Sequence, residues 1–165
     1  MKWQKKHTTA IGTVLTAVVA LIILLISTCE TEATELNLIV GAQYNDVGLA
    51  PLIGASITLS PKISAFATTS WDELQHDYQL RGAYTLQPFP GATLAVLLGP
   101  QITVWQPEPT LDLTLTYILT STGMAFAYQI NPRIGVFIAY DRLITGKDLP
   151  TDIIGIGAYF QLGDL

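Results

Sequence analysis

Tyr78-Gln79-Leu80-Arg81-Gly82-Ala83-Tyr84-Thr85-Leu86-Gln87-Pro88-Phe89-Pro90-Gly91 is the stretch on which the fold turns. Tyr78, Leu80, Gly82, Tyr84 and Leu86 share one phase of a two-residue period, and Gln79, Arg81, Ala83, Thr85 and Gln87 share the other. That is the pattern of an extended strand with one greasy face and one face of small, polar or charged groups. Pro88, Pro90 and Gly91 end it, because proline has no amide to give to a ladder and glycine adopts the backbone of a tight turn.

The same pattern recurs on both sides. Leu36, Leu38, Val40, Ala42 and Tyr44 alternate with Asn37, Ile39, Gly41, Gln43 and Asn45, and near the end Ile154, Ile156, Ala158, Phe160 and Leu162 alternate with Gly155, Gly157, Tyr159 and Gln161. Further strands are expected at 52–60, 63–71, 92–105, about 122–130 and 134–143, making eight. Ser60-Pro61-Lys62, Gln87-Pro88-Phe89-Pro90-Gly91 and Asn131-Pro132-Arg133 are tight connections. The alternate connections, near 46–51, 72–77, 106–121 and 144–152, are longer and more polar. Residues 111–119 alternate well, but Thr120-Ser121-Thr122-Gly123 shifts the phase. Either the sixth strand protrudes far, bulged near Ser121, or 120–123 is a turn and the strands number nine. An even count favours the bulged, protruding strand with 106–110 as its tip. Such an edge is suited to binding a protein partner by strand addition.

Half of the 165 residues are apolar and only 13% are charged, against roughly 25% in soluble domains. A soluble barrel would turn its greasy face inward and its charges outward, and these strands carry too few charges to solvate an exterior. Strands of nine or ten residues match a tilted bilayer crossing. Tyr44, Trp71, Tyr78 and Tyr140 fall on the greasy phase near the loop-side ends, as an interfacial girdle in contact with membrane lipid would. The expectation is an all-β protein, an eight-stranded antiparallel up-and-down transmembrane β-barrel following an N-terminal signal segment.

This arrangement resembles the small eight-stranded outer-membrane barrels of the OmpA/OmpX type over nearly all of residues 35–162. Gly157-Ala158-Tyr159-Phe160-Gln161-Leu162 is similar to the C-terminal signal read by the barrel-assembly machinery in that family, although it ends on Leu162 rather than Phe and is followed by Gly163-Asp164-Leu165. The resemblance implies a bacterial outer-membrane location, proline turns in the periplasm and longer loops outside. It also implies a structural or surface-interaction role with a protein partner at the loops.

Residues 1–33 read as a signal peptide or anchor and 34–165 as the barrel domain. Lys2, Lys5 and Lys6 make a basic start, Ala10–Ile26 is uncharged and mostly apolar, and Ala33 ends a small-residue cleavage pattern with Thr31. Cys29, the sole cysteine, excludes an intramolecular disulfide. It follows Ile26-Ser27-Thr28 in a setting similar to a lipobox, so it is a candidate lipidation site, with Thr28 where that motif has Gly, Ala or Ser. A lipid or membrane tether on a periplasmic lipocalin-like binding module is the alternative architecture.

Without residues 1–29, five of the eight basic residues face all 13 acidic ones, a net charge of −8. Such a balance opposes nucleic-acid binding. Eight acids are expected on the loop side, Asp46, Asp72, Glu73, Asp77, Glu108, Asp112, Asp148 and Asp152, against Lys147. No cofactor or metal motif occurs in the sequence. For catalysis the supply is His76 with Ser70 and Asp77, and the ordinary reading of His76 is a solvated loop histidine; the runner-up is a lipid-modifying enzyme at the rim. Arg81 and Asp141 both fall on the inward phase, and ionisable groups in a narrow barrel need partners, so a lumen ion pair is expected.

Overall fold

A computed structural model describes residues 35–45, 48–72, 75–106, 114–144 and 152–164. Eight strands make up these residues: β1 (Glu35–Asn45), β2 (Gly48–Ser60), β3 (Ile63–Trp71), β4 (Gln75–Phe89), β5 (Ala92–Trp105), β6 (Leu115–Asn131), β7 (Ile134–Ile144) and β8 (Asp152–Asp164). Each pairs antiparallel with its sequence neighbours, and β1 pairs with β8, so the sheet closes into an up-and-down barrel. Closure removes both sheet edges and leaves an interior just wide enough for side chains. The signal, cleavage and Cys29 readings lie outside the described residues.

Local chemistry sets the turns. Asn131 Oδ1 accepts from the Arg133 amide at 2.9 Å and Ser60 Oγ from the Lys62 amide at 3.4 Å, so each Ser/Asn-Pro-basic triplet closes its own two-residue connection. In Pro90-Gly91 the glycine takes φ +78°, the left-handed conformation that the second corner of a proline turn requires. Register shifts fall between Thr58 and Ser60, Leu86 and Phe89, Gln129 and Asn131, and Leu36 and Asn37, all at this turn end of the barrel.

Several boundaries move relative to the sequence reading. β2 begins at Gly48 and β4 at Gln75, so 48–51 and 75–77 are strand rather than loop. The sixth strand runs unbroken for 17 residues, with no turn at 120–123 and no bulge at Ser121. Its phase never changes; the chemistry of its faces does. Leu115, Tyr117 and Leu119 lie on the same phase as Ser121, Gly123 and Ala125, which is the inner one. The ladder with β7 stops at Thr120 and Ile144, whereas the ladder with β5 continues to Leu115 and Trp105. Past that point Leu115, Tyr117 and Leu119 take the inner phase, while Thr116 and the exposed Ile118 take the outer.

The outer phase is apolar and exposed: Val40, Val96, Leu98, Met124, Ile138 and Ile156 all present their side chains to the surroundings. Inside, a small apolar cluster of Ala83, Ala95 and Leu97, with Phe66 and Ala125 against it, forms the middle layer of the lumen. This is the reverse of a soluble core, with most large hydrophobic side chains outside and the polar groups within.

Candidate functional site

The lumen divides into a polar plug toward the loop end and a chamber toward the turn end. Period-two geometry builds the plug: Gln75, Asp77, Gln79 and Arg81 are alternate residues of β4 and all point inward. Register then sets Gln101 beside Gln79 and Thr103 beside Asp77 on β5, while β3 brings Thr68 beside Gln79.

Asp77 is the hub of the plug. Buried to 2% exposure, it accepts from Thr103 Oγ1 at 2.6 Å, Gln75 Nε2 at 2.8 Å, Gln101 Nε2 at 3.2 Å and Gln43 Nε2 at 3.3 Å. Four donors saturate a carboxylate in the way that a cation otherwise would. Gln79 extends the chain, donating to Gln101 Oε1 at 2.9 Å and accepting from Thr68 Oγ1 at 3.0 Å. Arg81 Nη2 reaches Thr68 Oγ1 at 3.4 Å, and Arg81 Nη1 is in contact with Asp141 Oδ2. One hydrogen-bonded path therefore crosses the lumen from β1 through β5, β4 and β3 to β7.

The ion pair is deeply buried, with Arg81 at 6% and Asp141 at 3% exposure. Asp141 has room because β6 carries Gly123 opposite it: a Cβ there would lie 2.4 Å from Asp141 Oδ1 and 2.3 Å from the Tyr140 carbonyl. Among the described residues, Arg81 Nε and Asp141 Oδ1, both fully buried atoms, have no hydrogen-bond partner.

That chamber has a volume of about 400 Å³. The Arg81–Asp141 pair and Gln79 form its roof, and its walls are mixed: the apolar layer of Ala95, Leu97, Ala125, Phe66 and Phe137 on one side, and Asn37, Ser56, Thr58 and Ser64 on another. Gln87 and Gln129, both exposed, stand at its mouth by the turns. At this end Tyr159 lies over Gly135, whose missing Cβ would sit 2.1 Å from the ring.

The remaining sequence candidates are placed as follows. Tyr44, Trp71 and Tyr140 are exposed on the outer face at the loop end, and Tyr78, on the same face, is half-buried. Tyr140 also donates its hydroxyl to Asp152 Oδ1 at 2.6 Å. A second ring of exposed aromatics, Tyr84, Phe89, Tyr128 and Phe160, stands at the turn end, unremarked in the sequence reading although its phase was visible there. Ser70, His76 and Asp77 do not converge. Ser70 and Asp77 face each other inside, whereas His76, next to Asp77 in a strand, projects to the opposite side. Asp77 is consequently no loop acid. Among the described residues, no three His, Cys, Asp or Glu side chains gather where a metal ion could be held.

A closed, eight-stranded barrel with an apolar exterior, aromatic rings at both ends and a hydrogen-bonded lumen defines the transmembrane up-and-down class. Solved structures of that class are similar to this chain. A de novo designed transmembrane β-barrel matches with a TM-score of 0.61 and 17% identity, over 81% of this chain and 99% of that one. The N-terminal β-barrel domain of Pseudomonas aeruginosa OprF matches with a TM-score of 0.61 and 15% identity, over 79% and 97%. Ail, the attachment invasion locus protein of Yersinia pestis, matches with a TM-score of 0.53 and 10% identity, over 79% and 97%. No family model matches the sequence, and no curated protein does.

Proposed function

We propose that this chain is a bacterial outer-membrane barrel with a structural or surface-interaction role exercised through its loop end. The observation that carries the reading is the inverted distribution of polarity. Exposed apolar side chains such as Val96, Leu98 and Ile138 lie between two aromatic rings, while buried Asp77, Arg81, Gln101 and Asp141 lie inside. Lipid is the surrounding that makes such an exterior favourable. Tyr44, Trp71, Tyr78 and Tyr140 then sit at headgroup level, and Gly157–Leu162 of β8 serves as the assembly signal. The Asp77 hub and the Arg81–Asp141 pair together fill the lumen above the chamber, so the protein is not a wide pore. Support for a surface role comes from the protrusion of β5 and β6 beyond β7, and from the fold shared with an attachment protein.

Gel mobility in SDS, unheated against boiled, tests the proposal on protein from the membrane fraction. A heat-dependent shift is expected, because a closed, hydrogen-bonded barrel resists detergent until heated. If residues 34–165 stay soluble without detergent and show no shift, the membrane reading fails.

A further inference from the structure

We infer that the turn-end chamber is a binding site for a neutral, polyhydroxylated ligand the size of a monosaccharide. Its volume of about 400 Å³ falls within the roughly 300–1,000 Å³ of small-molecule sites, and its mouth lies beside the exposed Gln87 and Gln129. Barrel closure gives the chamber two unlike sides. In a closed ring of eight strands, β1, β2 and β3 stand across from β5, β6 and β7. The first three contribute Asn37, Ser56, Thr58 and Ser64 to the lining, with Phe66 higher up beside Arg81. Asn37 pairs with Ser56 and Thr58 with Ser64, so these polar groups form one continuous patch. Above the mouth, the strands opposite contribute Ala95, Leu97, Ala125 and Phe137.

The polar patch supplies the recognition. Asn37, Ser56 and Ser64 are each more than nine-tenths buried, and their side chains make no hydrogen bond among the described residues. Arg81 Nε and Asp141 Oδ1 are sealed by packing, whereas these three line the chamber with polar atoms that a ligand can reach. Hydroxyls and carboxamides each donate and accept, so the patch suits a ligand whose own hydroxyls do both. A ligand without such groups leaves the patch unmatched, at the cost of its desolvation. Across the chamber, Gly157 gives the Phe137 ring its place, since a Cβ there would lie 2.9 Å from Phe137 Cε1. A sugar ring has the same division as the chamber, with hydroxyls around its edge and a face of C–H groups that packs on an aromatic ring. Arg81 and Asp141 neutralise each other at the roof, and the other charge among the described lining residues is the exposed Glu35 at the mouth. An anionic ligand therefore finds no free cation to compensate its desolvation.

The test observes the 2-deoxy-2-fluoro derivatives of glucose, mannose and galactose by ¹⁹F NMR against the full chain in lipid nanodiscs, with empty nanodiscs as the comparison. Saturable binding of at least one of the three is expected, absent from empty nanodiscs. The parent sugar should displace that probe, and D-glucuronate should do so roughly tenfold less well or worse, for want of a cation. The double variant Asn37→Leu with Ser64→Ala, which removes polar groups from the patch, is expected to weaken binding by roughly tenfold or more. The heat-dependent gel shift reports the barrel separately, so binding lost from a variant that keeps the shift is lost at the chamber. The inference is overturned if none of the three probes saturates with wild-type protein beyond empty nanodiscs, if glucuronate displaces the probe as well as the parent sugar does, or if the folded double variant binds like wild type. The wild-type measurements decide the matter even if the variant does not fold.

Discussion

Replacing Arg81 by alanine strands Asp141, a carboxylate at 3% exposure whose ion-pair partner is gone. Removing one member of a buried pair costs about 3–5 kcal/mol, because the remaining charge keeps its desolvation penalty and loses its compensation. Asp141 borders the chamber, which moves the expectation to the low end, about 3 kcal/mol, or roughly two powers of ten in the folding equilibrium. The double variant Arg81→Met with Asp141→Leu removes both charges and is expected to lie within about 1 kcal/mol of wild type or above it. Urea unfolding in lipid vesicles, followed by tryptophan fluorescence, measures both. High salt should leave the single-variant effect in place, since a buried pair is screened little. Planar-bilayer recordings of Arg81→Ala should show no large stable currents, because the Asp77 hub with Gln43, Gln75, Gln101 and Thr103 closes the lumen independently. An Arg81→Ala protein as stable as wild type, or a double variant as weak as the single one, would refute the reasoning.

Asp77→Asn turns one of the two acceptor oxygens into a donor group amid four donors, and is expected to cost about 2–4 kcal/mol in the same unfolding assay. Gly123→Ala would bring a Cβ to 2.3 Å from the Tyr140 carbonyl and should lower stability by more than about 1 kcal/mol, whereas Gly155→Ala, whose nearest neighbour is 3.8 Å away, should be tolerated within about 0.5 kcal/mol. Ile138→Arg, on the exposed outer face between the aromatic rings, should cost about 2–4 kcal/mol in vesicles, and the same change at Ile130 near the turn should cost about 1 or less. His76→Ala should leave the heat-dependent gel shift unchanged, since His76 projects from β4 away from the lumen; loss of the shift would show that its face of β4 supports the barrel.

Much of the architecture was legible in residue order alone. Period-two alternation is a local property, so Leu36–Asn45, Tyr78–Gln87 and Ile154–Leu162 each announce a strand, and Pro61, Pro90 and Pro132 announce turns, without reference to the rest of the chain. The inward phase of Arg81 and Asp141 followed from the same counting. Where composition along a face changed, counting misled: Leu115, Tyr117 and Leu119 suggested a phase break near Ser121, while the strand runs straight through and only the surroundings differ. Gln75–Asp77 were lost to a loop because charged residues read as solvated unless their partners are known.

Those partners come from strands distant in sequence. That Arg81 meets Asp141, 60 residues away, and that Gln43 meets Asp77, 34 residues away, depends on barrel closure and on register, which pairwise ladders set only when the sheet is assembled. Within the regularly alternating strands, the sequence by itself determined which residues share a face, because side-chain direction in a strand depends on parity alone. Only the tertiary structure decided how the inward residues divide between a hydrogen-bonded plug and a chamber roofed by an incompletely satisfied ion pair, because that division depends on which inward groups closure brings to the same height.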